Sequence, residues 1–462
     1  MAVIPSFYLL PQRWRWLLLL VASYYFYMQW NVAYAGLLAF STLVDYVVGR
    51  ALFATSNSTL KKAILATSLV VNLSLLFTFK YWHLFHHSMA HVFAILGMKW
   101  SEPQLNVLLP VGISFYTFQS LSYTIDVFRG VIVPERHLGV FASFVSFFPQ
   151  LVAGPIERAK NLLPQLNSLQ QRFDFDRFCS GAQLILWGLF QKVVVADRLA
   201  LYVDAVYNHV SEHHGASFLV ATYAFAFQIY SDFAGYSNIA IGSARILGID
   251  LMRNFHRPYF AVSVREFWRR WHISLSTWLR DYLYISLGGN RRGSGRTYVN
   301  LFITMAVGGF WHGASWNFLI WGALQGIFLI VDRSTESFRS RFSKNHMGKF
   351  LFSFIGVALT FHLVCFAWIF FRAREFSDAC FIIKSIFTNW GSPLWPPGGF
   401  SLFAFGFLVL IGVELCLEIK ERFQWNFQLA PMPLRWATWY GLIFLILLGG
   451  LEEGSQFIYF QF

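Results

Sequence analysis

Apolar runs almost free of charge recur along the 462-residue sequence and limit the folds open to it. Several approach the roughly 20 residues that an α-helix needs to cross the hydrocarbon core of a bilayer. Only 13% of the residues are charged, whereas a soluble domain carries about a quarter. No segment shows the alternation typical of a membrane β-barrel. The sequence therefore predicts an all-α polytopic protein embedded in a lipid bilayer. The clearest runs are Trp16–Met28, Ala63–Phe79, Val107–Ile125, Leu351–Phe371 and Trp436–Leu448.

Lysine and arginine concentrate in alternate loops, which favours a cytoplasmic location for those loops. The net charge of +13 is explained by this bias, and no long basic stretch indicates a nucleic-acid partner. The alternation predicts roughly 11–13 membrane segments in one integral domain over residues 1–462. The predicted cytoplasmic segments are Arg50–Lys62, Arg129–His137, Glu157–Arg177, Arg253–Arg296, Asp332–Lys349 and Glu418–Arg435, and the opposite ones are Trp82–Pro103, Asp204–Gly215 and Asn389–Gly399.

Two short segments break the simple spanning pattern. Val140–Val152 is short and ends in Phe148–Ile156, a stretch whose two prolines and one glycine predict a broken or re-entrant helix. Tyr298–Trp311 is also short and places His312 at or near a turn. Membranes tolerate such irregular backbone only where it is buried in protein or lines a cavity. We therefore expect the helices to surround a central cavity.

His312 is the candidate functional residue that the sequence indicates most strongly. It lies between apolar segments, and an ionisable group at membrane depth has to face protein or a watery cavity. Gly308, Gly309, Gly313 and Ala314 surround it, which allows close backbone approach and leaves room for a ligand. The alternative is a histidine that only ties two helices together through a hydrogen bond. On the functional interpretation, His312 lines a wet cavity that reaches the cell interior.

Residues 253–297 form a basic segment that interleaves arginine with aromatic residues. Nine arginines stand against only Glu266 and Asp281. At helical spacing its tryptophans share a stripe, with Arg269 and Arg280 elsewhere, which predicts an amphipathic helix in the cytoplasmic interface. The arginines either anchor the segment to that interface or hold an anionic ligand such as coenzyme phosphates. Arg291 and Arg292 are the candidates for phosphate binding, although their glycine-rich surroundings lack Walker spacing.

Other polar residues are weaker candidates. His272, in the same segment, either bonds to a neighbour or takes a direct chemical role. Asp126 and Asp232 are each expected to pair with an arginine or cap a helix, and Asp281 to pair with Arg280. The chain shows neither the spacing of a metal site nor a serine in a nucleophile elbow.

Taken together, these stretches resemble the membrane-bound O-acyltransferase superfamily. The match runs from about residue 20 to at least residue 370. It rests on Phe148–Ile156 (FPQLVAGPI), Glu266–Leu287 (EFWRRWHISLSTWLRDYLYISL) and Gly308–Trp316 (GGFWHGASW), with support from Tyr123–Gly130 and Asp232–Ser237.

The resemblance implies an O-acetyltransferase in the bacterial inner membrane. His312 matches the family's catalytic histidine and His272 its second active-site histidine. The family also implies a donor that arrives from the cytoplasm, with acetyl-coenzyme A expected and no permanently bound cofactor. A periplasmic acetyltransferase partner would pass the group to a secreted exopolysaccharide such as alginate or cellulose. The expected cavity-lining residues are Trp311, Ser274, Ser276, Asn317, Arg269 and Arg280, with Arg291 and Arg292 for the donor.

Three alternatives stay open at this point. The chain could be a non-catalytic transporter or channel for an acylated intermediate, since broken helices and a polar midplane residue serve transport too. It could transfer long acyl chains to lipids or proteins, because sequence does not show pocket width. It could also be a scaffold that recruits a periplasmic transferase while its own histidines are inert.

Overall fold

The regular secondary structure in the described part of the chain is all helical. The computed structural model describes residues 2–101, 103, 105, 107–342, 346–394, 401–423, 431–451 and 456–458. No strand occurs among these residues, and the all-α prediction is confirmed. The backbone forms two compact units, one of residues 1–182 with 240–252 and one of residues 183–239 with 253–462. That the whole chain is one integral domain stays a prediction.

The first unit contains the N-terminal helices. They are α1 (Val3–Leu9), α2 (Gln12–Met28), α3 (Val32–Ala54), α4 (Ser58–Leu76), α5 (Trp82–Ile95), α6 (Ile113–Phe128), α7 (Leu138–Ser146) and α8 (Ala159–Asn167), with a π-helix at Phe77–Tyr81 between α4 and α5. The first half of α9 (Phe175–Leu189) and the end of α11 (Gly215–Ile246) also belong to this unit.

A buried polar cluster joins three of these helices. Asp45 of α3 accepts hydrogen bonds from Ser68 Oγ (2.6 Å) and Asn72 Nδ2 (3.0 Å) of α4. Thr124 of α6 lies 3.1 Å from the same serine hydroxyl. Hydrogen bonds between polar side chains hold membrane helices together where apolar packing gives no preference over lipid.

The predicted helix break before residue 156 is confirmed. Helix α7 ends at Ser146, and the chain stays non-helical until α8 begins at Ala159. Pro149 and Pro155 cannot donate a backbone hydrogen bond, so they prevent the helix from continuing. Whether this break lies within the membrane stays a prediction.

The second unit contains the remaining helices. After α9 and a π-helix at Phe190–Ala196 come α10 (Asp197–Tyr207) and most of α11. The short elements α12 (Val264–Arg270), α13 (Ile273–Trp278) and a π-helix at Leu279–Tyr284 follow. The rest are α14 (Gly293–His312), α15 (Trp316–Ser334), α16 (Glu336–Phe342), α17 (His346–Arg372), α18 (Phe376–Thr388), α19 (Ser401–Phe423) and α20 (Met432–Gly449), with 3-10 turns at Val210–Glu212 and Pro258–Phe260. Its core is rich in aromatic side chains.

Several helices are suited to a membrane. Three described stretches are long and apolar enough to cross one, namely Val32–Ala54, Ser58–Ile95 and Leu351–Arg372. The total of roughly 11–13 segments and the sides assigned to the loops stay predictions. Parts of four predicted loops, residues 102, 343–345, 395–399 and 424–430, lie outside the described residues.

Two predictions about local structure are wrong. The segment ending at Trp311 is not short, because α14 runs for 20 residues from Gly293 to His312. The basic segment is not one amphipathic helix, because left-handed backbone at His272 separates α12 from α13. Its aromatic rings also turn inward, since Phe267 and Trp271 are buried in the core of the second unit.

Glycines let α14 and α15 pack at very short range. A methyl group on Gly309 would overlap the Phe318 carbonyl oxygen and would lie 2.7 Å from the Gly322 Cα. A methyl group on Gly313 would overlap the Phe318 ring. The space beside these glycines is therefore filled by α15 and not by an open ligand site.

Candidate active site

The second unit brings His272 and His312 together from positions forty residues apart in sequence. Their ring centroids lie 6.3 Å apart, with an angle of 61° between the ring planes. His272 is 0% exposed and His312 is 4% exposed. Two buried imidazoles at this separation could contact one small group placed between them.

His312 is held inside an aromatic enclosure. It is the last residue of α14, as the predicted turn requires, and its ring lies 5.0 Å from that of Trp311. Trp321 of α15 and Phe371 of α17 complete the enclosure, with ring centroids 5.1 and 5.5 Å away. Because these walls are apolar, they favour a neutral imidazole over its charged form. The wet cavity expected around His312 stays a prediction.

His272 sits at a sharp bend in the backbone. Its φ of 41° and ψ of 54° are left-handed, a conformation that costs energy for a residue other than glycine. Two backbone hydrogen bonds hold the bend, from His256 N to Arg270 O (2.9 Å) and from Ile273 N to Asn254 O (2.8 Å). Surrounding structure thus fixes the direction in which the His272 ring points.

Asn254 contacts His272 directly through its side-chain amide. The Asn254 Oδ1 atom lies 3.1 Å from His272 Nδ1 and 2.9 Å from Ser274 Oγ. Phe233 packs against the other side of the His272 ring, at 4.6 Å between centroids. His272 lies in the bend between two short helices, outside the stretches suited to span a membrane, and burial lowers its pKa to about 3. His272 is therefore neutral near pH 7.

A buried carboxylate holds the chain segments on either side of this bend. Glu418 of α19 accepts hydrogen bonds from Arg257 Nε (2.8 Å) and Arg270 Nη1 (3.0 Å). Arg257, like His272, has a left-handed φ, of 45°. Arg257 follows His256 in the chain, and the Arg270 carbonyl accepts the hydrogen bond from His256 N, so both arginines lie next to the bend. Glu418 thus compensates the charges of Arg257 and Arg270 inside the protein. The sequence predicted interface anchoring or phosphate binding for the arginines of this segment, and pairing with a buried carboxylate is a third role.

The predicted cavity residues fall into two groups. Trp311, Ser274 and Asn317 are buried, and Ser276 is half-buried, where its hydroxyl donates to the Trp271 carbonyl (3.1 Å). Asn317 Nδ2 donates to the carbonyl oxygen of Ala373 (3.0 Å). The structure does not bring the arginines into the buried cluster, since all four are exposed. They are Arg269, Arg280, Arg291 and Arg292.

The sequence predicts a structural contact for three acidic residues away from the two histidines. Asp281 pairs with Arg280 at 2.7 Å, as predicted. Asp232 pairs with a lysine and not with an arginine, at 2.6 Å from Lys192 Nζ, and also accepts a hydrogen bond from Ile458 N (2.7 Å). Asp126 is buried, and its predicted pairing stays a prediction.

Sequence reasoning missed three residues of the site. Asn254 follows Arg253 in a segment whose composition is dominated by charged residues, and the sequence indicates no role for the asparagine. Trp321 and Phe371 lie within apolar runs, where nothing distinguishes a residue beside a catalytic ring from one that faces lipid. No feature of the sequence distinguishes Asn254, because its contacts with His272 and Ser274 form only in the folded protein.

Comparison with known proteins identifies a family whose match covers the part of the chain that contains both histidines. The model of the membrane-bound O-acyltransferase family matches residues 136–371, which include both histidines. The chain is 42% identical over 387 residues to the probable alginate O-acetylase AlgI of Pseudomonas putida, covering 83% of this chain and 76% of that protein. It is 35% identical to the peptidoglycan O-acetyltransferase of Helicobacter pylori over 82% of this chain and 74% of that protein.

A third relative is more distant. The teichoic acid D-alanyltransferase of Streptococcus thermophilus is 32% identical over 54% of this chain and 64% of that protein. The family match and the identity to the first two relatives agree with the resemblance seen in the sequence. The chain therefore belongs to the membrane-bound O-acyltransferase family and is an O-acetyltransferase.

Proposed function

We propose that this enzyme moves an acetyl group from cytoplasmic acetyl-coenzyme A across the bacterial inner membrane, for O-acetylation of a secreted exopolysaccharide such as alginate or cellulose. The observation that carries the proposal is the buried pair of histidines, His272 and His312, with ring centroids 6.3 Å apart within the family region. Relatives named for acetylation of alginate and of peptidoglycan support a polysaccharide as the final acceptor.

The chemistry requires a base, because a hydroxyl is a poor nucleophile near neutral pH. In the proposed step, the hydroxyl oxygen attacks the thioester carbonyl carbon and its proton passes to the His312 imidazole. The carbon–sulfur bond then breaks, and the leaving thiolate takes that proton as the free thiol. His272, or donors near Ser274 and Asn317, steadies the acceptor or the oxyanion.

The donor needs contacts for its phosphates outside the aromatic enclosure. Arg291 and Arg292 are exposed and lie just before the N-terminus of α14. Guanidinium groups and a helix N-terminus both favour anionic phosphate groups. We assign the coenzyme phosphates to this pair, and no permanently bound cofactor is needed.

A secreted polysaccharide lies outside the cytoplasm. An acetyl group that has crossed the membrane therefore needs a carrier that brings it to the polymer. We propose a periplasmic acetyltransferase partner that takes the group to the polymer. The specificity for one polysaccharide then belongs to the partner, and this chain supplies the acetyl group.

The test is a transfer assay on the purified protein in lipid nanodiscs. Acetyl-coenzyme A carrying a labelled acetyl group is added together with glycerol as the hydroxyl acceptor, and release of free coenzyme A thiol and of labelled acetyl ester is followed. We expect transfer that excess unlabelled acetyl-coenzyme A suppresses and that excess palmitoyl-coenzyme A does not. Thioester that stays intact would favour the transporter or scaffold. Suppression by palmitoyl-coenzyme A would favour transfer of long chains.

A further inference from the structure

Asn254 is fully buried and makes its hydrogen bonds to residues of the second unit. Its side-chain Oδ1 faces three atoms, namely Ser274 N (3.3 Å), Ser274 Oγ (2.9 Å) and His272 Nδ1 (3.1 Å). Its Nδ2 donates to Ser237 Oγ (3.1 Å) on α11. The side chain thus connects the bend at His272 with a long helix of the same unit.

The partners of Asn254 fix which end of its amide faces His272. A backbone N–H only donates, so the Asn254 atom that faces Ser274 N has to be the oxygen. The amide nitrogen is then directed to the Ser237 hydroxyl, which accepts. This orientation follows from the chemistry of the neighbours and not from the placement of the amide alone.

The orientation of the amide in turn fixes the protonation of His272. An amide oxygen only accepts, so His272 Nδ1 has to carry a hydrogen in order to bond to it at 3.1 Å. In a neutral imidazole the hydrogen on Nδ1 leaves a lone pair on Nε2. A buried ring among Phe233, Phe255 and Trp311 favours this neutral form.

We propose that Asn254 is a positioning residue that holds His272 in the Nδ1–H tautomer, so that His272 Nε2 accepts a hydrogen bond from the acceptor molecule. This inference rests on the proposed function and narrows it. A neutral Nε2 cannot donate to an oxyanion, so of the two roles left open for His272 only the steadying of the acceptor remains. The reacting hydroxyl gives its proton to His312, and a neighbouring hydroxyl or N–H of the acceptor donates to His272.

The titratable surroundings of the His272 ring are simple. His312 is the titratable side chain that its ring faces from α14. From α11 the ring meets Phe233, and the adjacent Asp232 is held by Lys192. The nearby arginines 257 and 270 are paired with Glu418. The Ser274 hydroxyl lies 3.5 Å from His272 Nδ1 and itself donates to Asn254 Oδ1, so the amide oxygen of Asn254 determines which His272 nitrogen carries the hydrogen.

The tautomer is measured by ¹⁵N nuclear magnetic resonance of the full-length protein with labelled histidine. The His272 signals are identified by their loss in His272→Gln. We expect a protonated Nδ1 and an unprotonated Nε2 in the wild type. Asn254→Ala should shift His272 toward the other tautomer, and Asn254→Asp, which keeps an acceptor oxygen, should restore Nδ1–H. Ser237→Ala removes the bond to Nδ2 alone and should leave the tautomer unchanged.

Transfer kinetics separate positioning from general damage. With glycerol as a hydroxyl acceptor probe, Asn254→Ala should raise the KM for glycerol about fivefold, the effect of one lost hydrogen bond. The kcat should change less, and Asn254→Asp should recover most of the loss. A wild-type His272 protonated on Nε2, or an Asn254→Ala tautomer equal to the wild type, would overturn the proposal. If the wild type shows Nδ1–H but no acetyl transfer, the assignment of Asn254 stands and the proposed function fails.

Discussion

At the scale of single residues, the proposed roles depend on two imidazoles that are buried among aromatic side chains. A general base has to be unprotonated before it can accept a proton. Trp311, Trp321 and Phe371 surround His312, while Phe233 and Phe255 pack on His272. Such walls disfavour the charged form of histidine, because they offer no solvation for it. Burial thus prepares both rings for their proposed roles.

The depressed pKa of His272 predicts an acid-sensitive fold. The pKa lies at about 3 in the folded protein, against 6.5 as the ordinary value. Between these values the unfolded chain binds a proton that the folded chain does not, so stability falls as the pH falls. The contribution of the neutral His272 to folding stability is fully present above pH 6.5 and is lost progressively toward pH 3.

This dependence is measured as the thermal midpoint of unfolding between pH 7 and pH 4. We expect the midpoint of the wild type to fall more steeply than that of His272→Gln, which has no group to protonate at that position. Other acidic groups titrate in both proteins, so the comparison isolates His272. Parallel curves for the two proteins would contradict the burial of a neutral His272.

At the scale of helices, α14 and α15 determine where His312 lies. The two helices approach through Gly309 and Gly322, and His312 ends the first of them. Close backbone approach and a turn at His312 were predictable from the sequence, because the glycines next to this histidine can be read directly from it. It did not predict that Phe318 would fill the space beside Gly313, since that packing is a contact between side chains of two helices.

A methyl group at Gly309 should therefore damage the site through packing alone. Gly309→Ala would push α14 from α15, and overpacking of this kind costs about 1–3 kcal/mol. The free energy of unfolding is measured with denaturant, alongside acetyl transfer. Gly412→Ala is the matched control, because nothing lies within 4 Å of a methyl group there. Equal stability of the two variants would show that α14 and α15 are not packed this closely.

The basic segment shows why the other prediction at this scale failed. Helical spacing placed its tryptophans on one stripe, which is typical of a helix lying on a membrane surface. The same stripe also suits burial in a core, and periodicity does not distinguish the two. The deciding residue is Glu418, about 150 positions away, whose carboxylate compensates Arg257 and Arg270 inside the protein.

At the scale of the whole molecule, composition and apolar runs were enough to predict an all-helical membrane protein. Motif order was enough to predict the family, and the roles that it implies for His272 and His312 stay predictions. The surroundings of those histidines were not predictable, because Asn254, Trp321 and Phe371 are brought together only by the tertiary fold. Exposure of His312 is only 4%, so the proposed reaction also requires that donor and acceptor reach an enclosed ring.

The most direct test of the central claim is acetyl transfer by His312→Gln, compared with His87→Gln. His87 is an exposed histidine of the first unit and controls for the loss of an imidazole elsewhere. Both variants are purified at matched yield, and transfer from labelled acetyl-coenzyme A is measured. We expect His312→Gln to lose transfer by about 10²- to 10⁴-fold, the usual contribution of a general base, and His87→Gln to match the wild type. Full transfer by His312→Gln would contradict the account.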